Sequence, residues 1–501
     1  MDEGVIGSSS GEAVNTWAES RLDRPPGGGG RHGGRRLRRL LASGQPGAAA
    51  AVTGVVAVSV WRGSLTEAIA IVTLIAVGSR RWTFALGLAA LAGFAMVRGN
   101  DARAGLVPDH LGPFAGWVTV VDDPRPFGSG TRVILQIDGE RFEMWVRGRA
   151  GQLRVAEWQG GDAVWVDGAR VELDPQLAGR VAWQHVVGGF QSDSLGDRRH
   201  GRPLAVASNR VRGVIGQATA VLAPDDAALA RGLIMGDDTT QPRAMIERFR
   251  TSGMSHLTAV SGQNVAFVLA AAGPLLRRAP PATRLVASLA LIAWFVVITR
   301  AEPSVLRAGV MAGLGAVAFT LGREREPFRL LAVAAAGLLI VDPLLVYSVG
   351  FWLSVGATAG VTVIGPALGR RLTVLGPLAV PVGITIGAQI GVVVPSVLVF
   401  GRLSLVGTVA NLIAVPVAGF VMLYGLPACL VAGALPVLAR PLMLPVGAGV
   451  RIVDTVATVA AHLEPPTAVG VVGWVALVAV VGGLAWRGGV GCRIADDQMR
   501  Q

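Results

Sequence analysis

The chain contains no lysine: its 45 basic residues are all arginine, against 33 acidic residues, for a net charge of +12. A Gly-rich phosphate loop ending in Gly-Lys-Ser/Thr is therefore absent, which excludes an internal ATP motor of the usual form. So complete a use of Arg for Lys, among 68 Gly, reflects genome composition, so the basic balance is poor ground for nucleic-acid binding. Cysteine is almost missing too. Cys429 lies in an apolar run and Cys492 in the tail, so a disulfide framework and a cysteine metal site are excluded. The six His, at 32, 110, 185, 200, 256 and 462, are too scattered to suggest metal ligation. Charge is scarce as well, at 16% where soluble domains carry about 25%.

Apolar sequence fills the space that charge leaves. Hydrophobic residues make up 52% of the 501, and mean hydropathy is +0.54. Apolar runs near the length of a membrane span recur along the chain, so the reading is a polytopic α-helical membrane protein. An ordinary cytoplasmic enzyme, a disordered chain and a secreted disulfide scaffold are excluded.

The chain divides by composition. Residues 1–46 read as a disordered basic cytoplasmic arm, with Pro25, Pro26 and a Gly run followed by clustered Arg. Residues 47–98 read as N-terminal membrane spans, broken at Trp61-Arg62-Gly63 and Ser79-Arg80-Arg81 into 47–60, 65–78 and 82–97. Over 99–210 the long apolar runs stop. Strand-like stretches appear at 116–120, 132–137, 141–146, 152–155 and 163–166, with turn dipeptides Asp138-Gly139 and Asp167-Gly168. That spacing suits a small β domain, a barrel such as an OB-fold or a small open sheet. Residues 211–258 form an amphipathic connector, placed along the membrane interface or packed as a soluble link, with helices expected at 225–235 and 241–250. Residues 259–486 carry nine further apolar runs, and 487–501 form a tail. With twelve spans in all, the Arg-rich loops alternate so that both termini are cytoplasmic and the β domain is extracytoplasmic.

Polar residues inside the membrane region are costly and mark function or helix-to-helix bonds. The densest cluster runs from Gly253 to Asn264 and holds His256, Ser261, Gln263 and Asn264. It reads either as a capped, Gly-kinked helix start or as a broken helix lining a pore. His256 and Ser261 do not share a helix face, which argues against a hydrolase pair. Arg307 stands several residues inside an apolar run; it snorkels outward, pairs with Glu302 or contacts a passing anion such as a phosphate. Gln389 and Asn411 are further polar groups within apolar runs.

In order along the chain, Gly232-Leu233, Gly236, Phe249, Gly253 and His256 to Gly262, then Arg307-Ala308 to Met311, Gly350 to Ser354, and Phe400 to Ser404 through Asn411 and Pro416, resemble the blocks of the ComEC competence proteins. These are DNA-uptake channels of the cytoplasmic membrane. The resemblance covers roughly residues 99–430. It implies that the β domain, at about 113–175, is an OB-fold that meets single strands through a positive groove and stacking aromatics. Candidates there are Arg132, Arg141, Arg147, Arg154, Trp117 and Trp145. It implies a path for single-stranded DNA past His256, Ser261, Gln263, Asn264, Arg307, Gln389 and Asn411. It also implies partners: an extracytoplasmic DNA-binding competence protein, a cytoplasmic helicase-like ATPase, a separate nuclease and the membrane lipids. The chain departs from the family in two ways. It ends at 501 without the metallo-β-lactamase-like domain that many members carry, so neither enzyme activity nor a cofactor is expected of it. Gly262-Gln263-Asn264 also stands where members commonly read Gly-Leu-His. The rival readings are a secondary transporter of a small solute, a membrane hydrolase and a structural component of an envelope complex.

Overall fold

The structure, a computed structural model, describes residues 45–62, 82–258, 262–322, 326–400, 404–466 and isolated positions from 469 to 483. The basic arm up to residue 44, the apolar run at 65–78, the tail and Ser261 lie outside the described residues. The chain forms two units, Met1–Gly47 and Ala48–Gln501, and apart from residues 45–47 the features below belong to the second.

Two apolar helices come first, α1 (Gln45–Arg62) and α2 (Trp82–Ala104). Arg98 closes the first junction with the later bundle, its Nη2 donating to the Val341 carbonyl at 3.2 Å.

The polar region folds into a β domain. Its strands are β1 (Gly112–Val120), β2 (Arg125–Phe127), β3 (Gly130–Ile137), β4 (Glu140–Arg147), β5 (Ala163–Glu172) and β6 (Val186–Arg199). A short helix, α3 (Arg149–Val155), joins β4 to β5. The sheet runs β1-β5-β6-β4-β3-β2, and β1 also pairs with β3, so the five long strands close on themselves. All pairs are antiparallel except β4 with β6. Closure leaves no free edge among those five, and one face of every strand turns inward. Val118, Val120, Val133, Leu135, Phe142, Met144, Val164 and Val166 fill that interior, and buried Trp158 packs in the same cluster. The outer face of β3 and β4 is covered by α4 (Pro175–Val181) and the tight turn Ala182–Gln184.

Two sequence expectations change here. Residues 152–155 are helical, because four alternating residues fit one helical turn as well as a strand. The barrel continues past 175 into β6, the longest strand, whose Gly, Ser and Asp residues carry little strand propensity. Its pairing with both β4 and β5 supplies what local propensity does not.

The rest is helical: α5 (Pro203–Thr219), α6 (Pro224–Met235), α7 (Arg243–Thr251), α8 (Ser255–Thr258), α9 (Gly262–Leu276), α10 (Pro281–Ile298), α11 (Pro303–Thr320), α12 (Pro327–Val341), α13 (Val349–Ala359), α14 (Gly365–Gly369), α15 (Ala379–Phe400), α16 (Val406–Ala434) and α17 (Ala439–Leu463). Among the described residues six helical stretches are long and apolar enough to cross a membrane, namely Pro281–Ile298, Pro303–Thr320, Val349–Gly369, Thr373–Val399, Val406–Ala434 and Pro436–Leu463. Val52–Trp61, Gly262–Leu276 and Pro327–Val341 are shorter apolar helices. The chain is thus a polytopic α-helical protein with an inserted mixed β-sheet domain. Within the connector, α6 is buried along nearly its whole length. Leu229, Leu233 and Ile234 share one core with Val421 and Cys429 of α16 and Val446 and Val450 of α17. Ala-rich α6 is thin enough to sit inside this core rather than along its rim.

Candidate nucleic-acid path and domain junction

The blocks that lie apart in the sequence meet in space. Gly253 has φ of +71°, and a Cβ there would stand 2.5 Å from the Ser404 Cβ, so the 253–264 block starts against the start of α16. Ser404 is held in turn by Glu464 beyond the end of α17. Glu464 Oε2 accepts from Ser404 Oγ at 2.7 Å and from the Val406 N–H at 3.1 Å, while Oε1 accepts from the Leu405 N–H at 2.8 Å. A carboxylate at the positive end of a helix satisfies N–H groups that the helix itself leaves open. Ser404 Oγ also accepts from the Gly407 N–H at 2.9 Å.

One step further, Gly262 meets α11. A methyl group at 262 would lie 2.5 Å from Arg307 Nη2 and 2.9 Å from the Ala308 Cβ. Arg307 is 5% exposed, so it does not snorkel outward. Its Nε donates to Ser354 Oγ on α13 at 2.8 Å and its Nη1 to Met311 Sδ at 3.0 Å. Glu302, its expected partner, binds Arg125 of the β domain at 2.7 Å instead. Around this point Val265 and Val268 of α9, Val305 and Ala308 of α11, and Met422 of α16 form one apolar cluster.

The remaining expected path residues are spread. Asn264 is buried in α9, whereas His256 and Gln263 are exposed. Gln389 is half-buried on α15. Asn411 is buried on α16, and its Oδ1, like Thr408 Oγ1 one turn earlier, has no hydrogen-bond partner among the described residues. No described contact joins Gln389 to the Gly262–Arg307 meeting point.

On the β domain, Arg132 and Arg141 are engaged within the fold. Arg132 pairs with buried Glu143 and donates to Gln184 Oε1 at 2.7 Å, and Arg141 donates to the Gln184 carbonyl at 2.9 Å. Both sit beneath the 182–184 turn, which sequence reading did not foresee. Arg147 and Arg154 are exposed. Trp145 is half-buried, edge-on to exposed Phe127 with centroids 6.0 Å apart. Trp117 and Trp165 are direct cross-strand partners on the outer face, 37% and 38% exposed and edge-on at 5.9 Å. The Arg199 guanidinium lies 4.0 Å from the Trp117 ring centre. Arg199 did not stand out in the sequence because it closes a strand that itself was hidden.

The β domain is pinned to the helices by a charged cluster. Asp123 accepts from Arg300 Nη2 at 2.7 Å and Arg212 Nη2 at 2.7 Å, and from the Gly160 N–H at 2.9 Å. Arg300 also donates to Asn209 Oδ1 at 2.7 Å, and Arg212 to the Ile298 carbonyl at the end of α10 at 3.1 Å. Burial alone would raise the Asp123 pKa, but Arg212 and Arg300 outweigh it and hold the carboxyl below its usual range. Burial prevails at neighbouring Asp122 and pushes it up. At Arg125 burial is overcome by Glu302 and Asp238, which hold the guanidinium charged. The cluster surrounds a cavity of about 20 Å³, lined by Asp122, Asp123, Asp237, Asp238 and Glu302 against Arg125, Arg212 and Arg300. Five carboxylates to three guanidiniums make this spot repel phosphates, so it serves to hold the domains together. A second link lies at His185 Nε2 and Asp342 Oδ2, 3.1 Å apart.

Comparison with known proteins gives a family match and two distant, partial relatives. A family profile described as competence protein matches residues 233–490. An uncharacterized protein of Escherichia coli (strain K12), YcaI, is 26% identical over 207 residues, covering 39% of this chain and 28% of its own length. The ComE operon protein 3 of Bacillus subtilis (strain 168) is 24% identical over 248 residues, covering 49% of this chain and 31% of its own. The chain thus spans less than a third of the length of these curated relatives. No solved structure matches it significantly.

Proposed function

Because the chain belongs to the competence-protein family, we propose that it carries single-stranded DNA across the cytoplasmic membrane during natural transformation. The observation that carries this reading is the meeting of Gly253 with Ser404 and of Gly262 with Arg307, which in turn bonds Ser354. Blocks far apart in the sequence supply Gly, Ser and Arg to one region of an apolar bundle. A chain of phosphates cannot cross hydrocarbon unpaired, so its route must present donors at intervals. It must also hold few cations, since conduction requires release. Arg307 with His256, Gln263, Asn264, Gln389 and Asn411 suits both demands.

The β domain receives the strand outside the membrane. Its closed five-strand order, its parallel β4–β6 pair and the helix between β4 and β5 support an OB-fold assignment. The outer Trp117–Trp165 pair with Arg199 is a stacking platform of the kind single strands use. Direction and energy come from partners, a DNA-binding protein outside and a helicase-like ATPase inside, with a separate nuclease degrading the other strand.

The test is entry of a labelled strand. In cells without this chain, duplex DNA is expected to accumulate at the surface while no single strand reaches the cytoplasm. Undiminished entry of the strand in such cells refutes the proposal.

A further inference from the structure

The buried arginines of this chain fall into two kinds. Arg170, Arg212 and Arg300 each have a carboxylate within 3.3 Å, namely Asp138, Asp123 and Asp123. Arg307, the most deeply buried, has none among the described residues. Glu302, five positions earlier at the N-cap of α11, is engaged by Arg125. Its hydrogen bonds go to a hydroxyl, Ser354 Oγ, and to a thioether, Met311 Sδ, which is a weak acceptor. A guanidinium taken out of water without a counter-charge is costly, and such groups inside a membrane bundle mark ligand paths.

Beside the guanidinium stand a hydroxyl, a thioether and a glycine. Ser354 Oγ accepts from Arg307 Nε, which leaves its own O–H free to donate. Gly262 faces Arg307 Nη2 with no side chain, and a methyl group there would crowd the guanidinium at 2.5 Å. A hydroxyl able to donate thus stands beside a guanidinium that has no carboxylate among the described residues. The geometry points to a seat for one phosphodiester group, formed by the Arg307 guanidinium and the Ser354 hydroxyl, with Gly262 letting the guanidinium lie against the start of α9. This deepens the proposed function and rests on it for the source of the ligand. A single cation matches the single negative charge of a phosphodiester, and lacks the second charge that would trap the strand.

The experiment uses the full chain in detergent micelles, carrying Trp117→Ala and Trp165→Ala throughout so that stacking on the β domain does not contribute. Its thermal midpoint is measured with the dinucleotide thymidylyl-thymidine and with the methylphosphonate analogue, which carries the same bases but no charge. A ligand that binds the folded chain raises the midpoint saturably. The expected result is a shift with the diester, none with the neutral analogue, and none with either in Arg307→Gln. An equal shift in Arg307→Gln, an equal shift with the neutral analogue, or no shift in the parent chain each overturns the seat. Should Arg307→Gln not fold, Ser354→Ala keeps the charge and is expected to raise the half-saturating diester concentration about tenfold. An unchanged concentration in Ser354→Ala also overturns the seat. Passage of a labelled strand into vesicles reconstituted with the chain tests the channel separately. Diester binding at Arg307 without passage leaves the seat and removes the channel. Passage equally fast in parent and Arg307→Gln vesicles leaves the channel and removes the seat.

Discussion

Arg300 grips Asp123 from a backbone that residues with a side chain rarely adopt. Arg300 and the following Ala301 have φ of +58° and +54°, and Arg300 donates to both Asp123 oxygens, at 2.7 Å from Nη2 and 3.3 Å from Nε. Strain of this kind persists only where the surroundings over-determine it. Here the surroundings are the β domain on one side and the end of α10 on the other.

Adjacent Asp122 and Asp123 are therefore expected to behave in opposite ways. Asp123 is held below its unfolded pKa, so its contribution is present above the usual carboxylate range and is lost as pH falls through its depressed native value. Asp122 is raised, so its contribution is present below the usual range and is lost as pH rises through its native value. Asp123→Asn is expected to cost about 3 kcal/mol at neutral pH, because two arginines lose their partner. Asp122→Asn is expected to leave stability unchanged or raise it there. Thermal midpoints of both variants between about pH 3 and pH 8 check this. A loss at Asp122→Asn equal to that at Asp123→Asn contradicts it.

The Glu464 cap ties the far end of α17 to the start of α16. Removal of an N-terminal cap costs about 1–2 kcal/mol. Glu464→Ala and Ser404→Ala are each expected to lower the melting point of the detergent-solubilised chain. Because the two side chains bond each other, the double variant is expected to lose less than the sum, by at least about 0.5 kcal/mol. Strict additivity would show that the two act independently.

The long apolar runs were legible in the sequence because helices in lipid must satisfy their own backbone, and only sustained hydropathy allows that. Strands β1, β3, β4 and β5 were legible through alternation and turn dipeptides. β6 was not, since Gly188, Gly189 and Gly196 and the polar stretch between them belong to a strand only through partners elsewhere in the chain. The candidate site was legible residue by residue but not in its pairings. Glu302 sits five positions before Arg307 and is taken by Arg125, 177 positions away. Arg132 and Arg141 looked free because nothing local announces the turn at 182–184 that covers them. Glu464 carries no local signal of the α16 start that it caps.

The Arg-bearing loops predict an extracytoplasmic β domain, and direct labelling tests it. Ser129 and Ser194 are exposed on the β domain, and Cys429 is buried. With Cys492 replaced by Ser, Ser129→Cys and Ser194→Cys are each expected to react with a membrane-impermeant maleimide in intact cells. Reaction at both positions only after lysis would place the β domain inside and require an even number of spans before it.

The exposed Trp pair gives the sharpest test of the β domain. Trp117 and Trp165 face each other across β1 and β5, and Gly196 on β6 lets the Trp165 ring lie against the strand, since a Cβ there would meet the ring at 2.7 Å. Two indoles and the Arg199 cation form one outward surface that owes little to the barrel interior. Base stacking on an aromatic side chain contributes about 1–3 kcal/mol per base. Trp165→Ala is therefore expected to weaken binding of oligothymidylate to the full chain about tenfold or more, with the barrel still folded. Arg199→Ala is expected to weaken binding less and to flatten its salt dependence by about one ion. Arg132→Ala should behave differently, because it strands buried Glu143: its expected effect is on the melting point of the domain, with affinity unchanged in the fraction that remains folded. Titration of fluorescent oligothymidylate at several salt concentrations separates the three. Full affinity in Trp165→Ala, or a salt slope in Arg199→Ala equal to that of the parent, would remove this face from the DNA-binding surface.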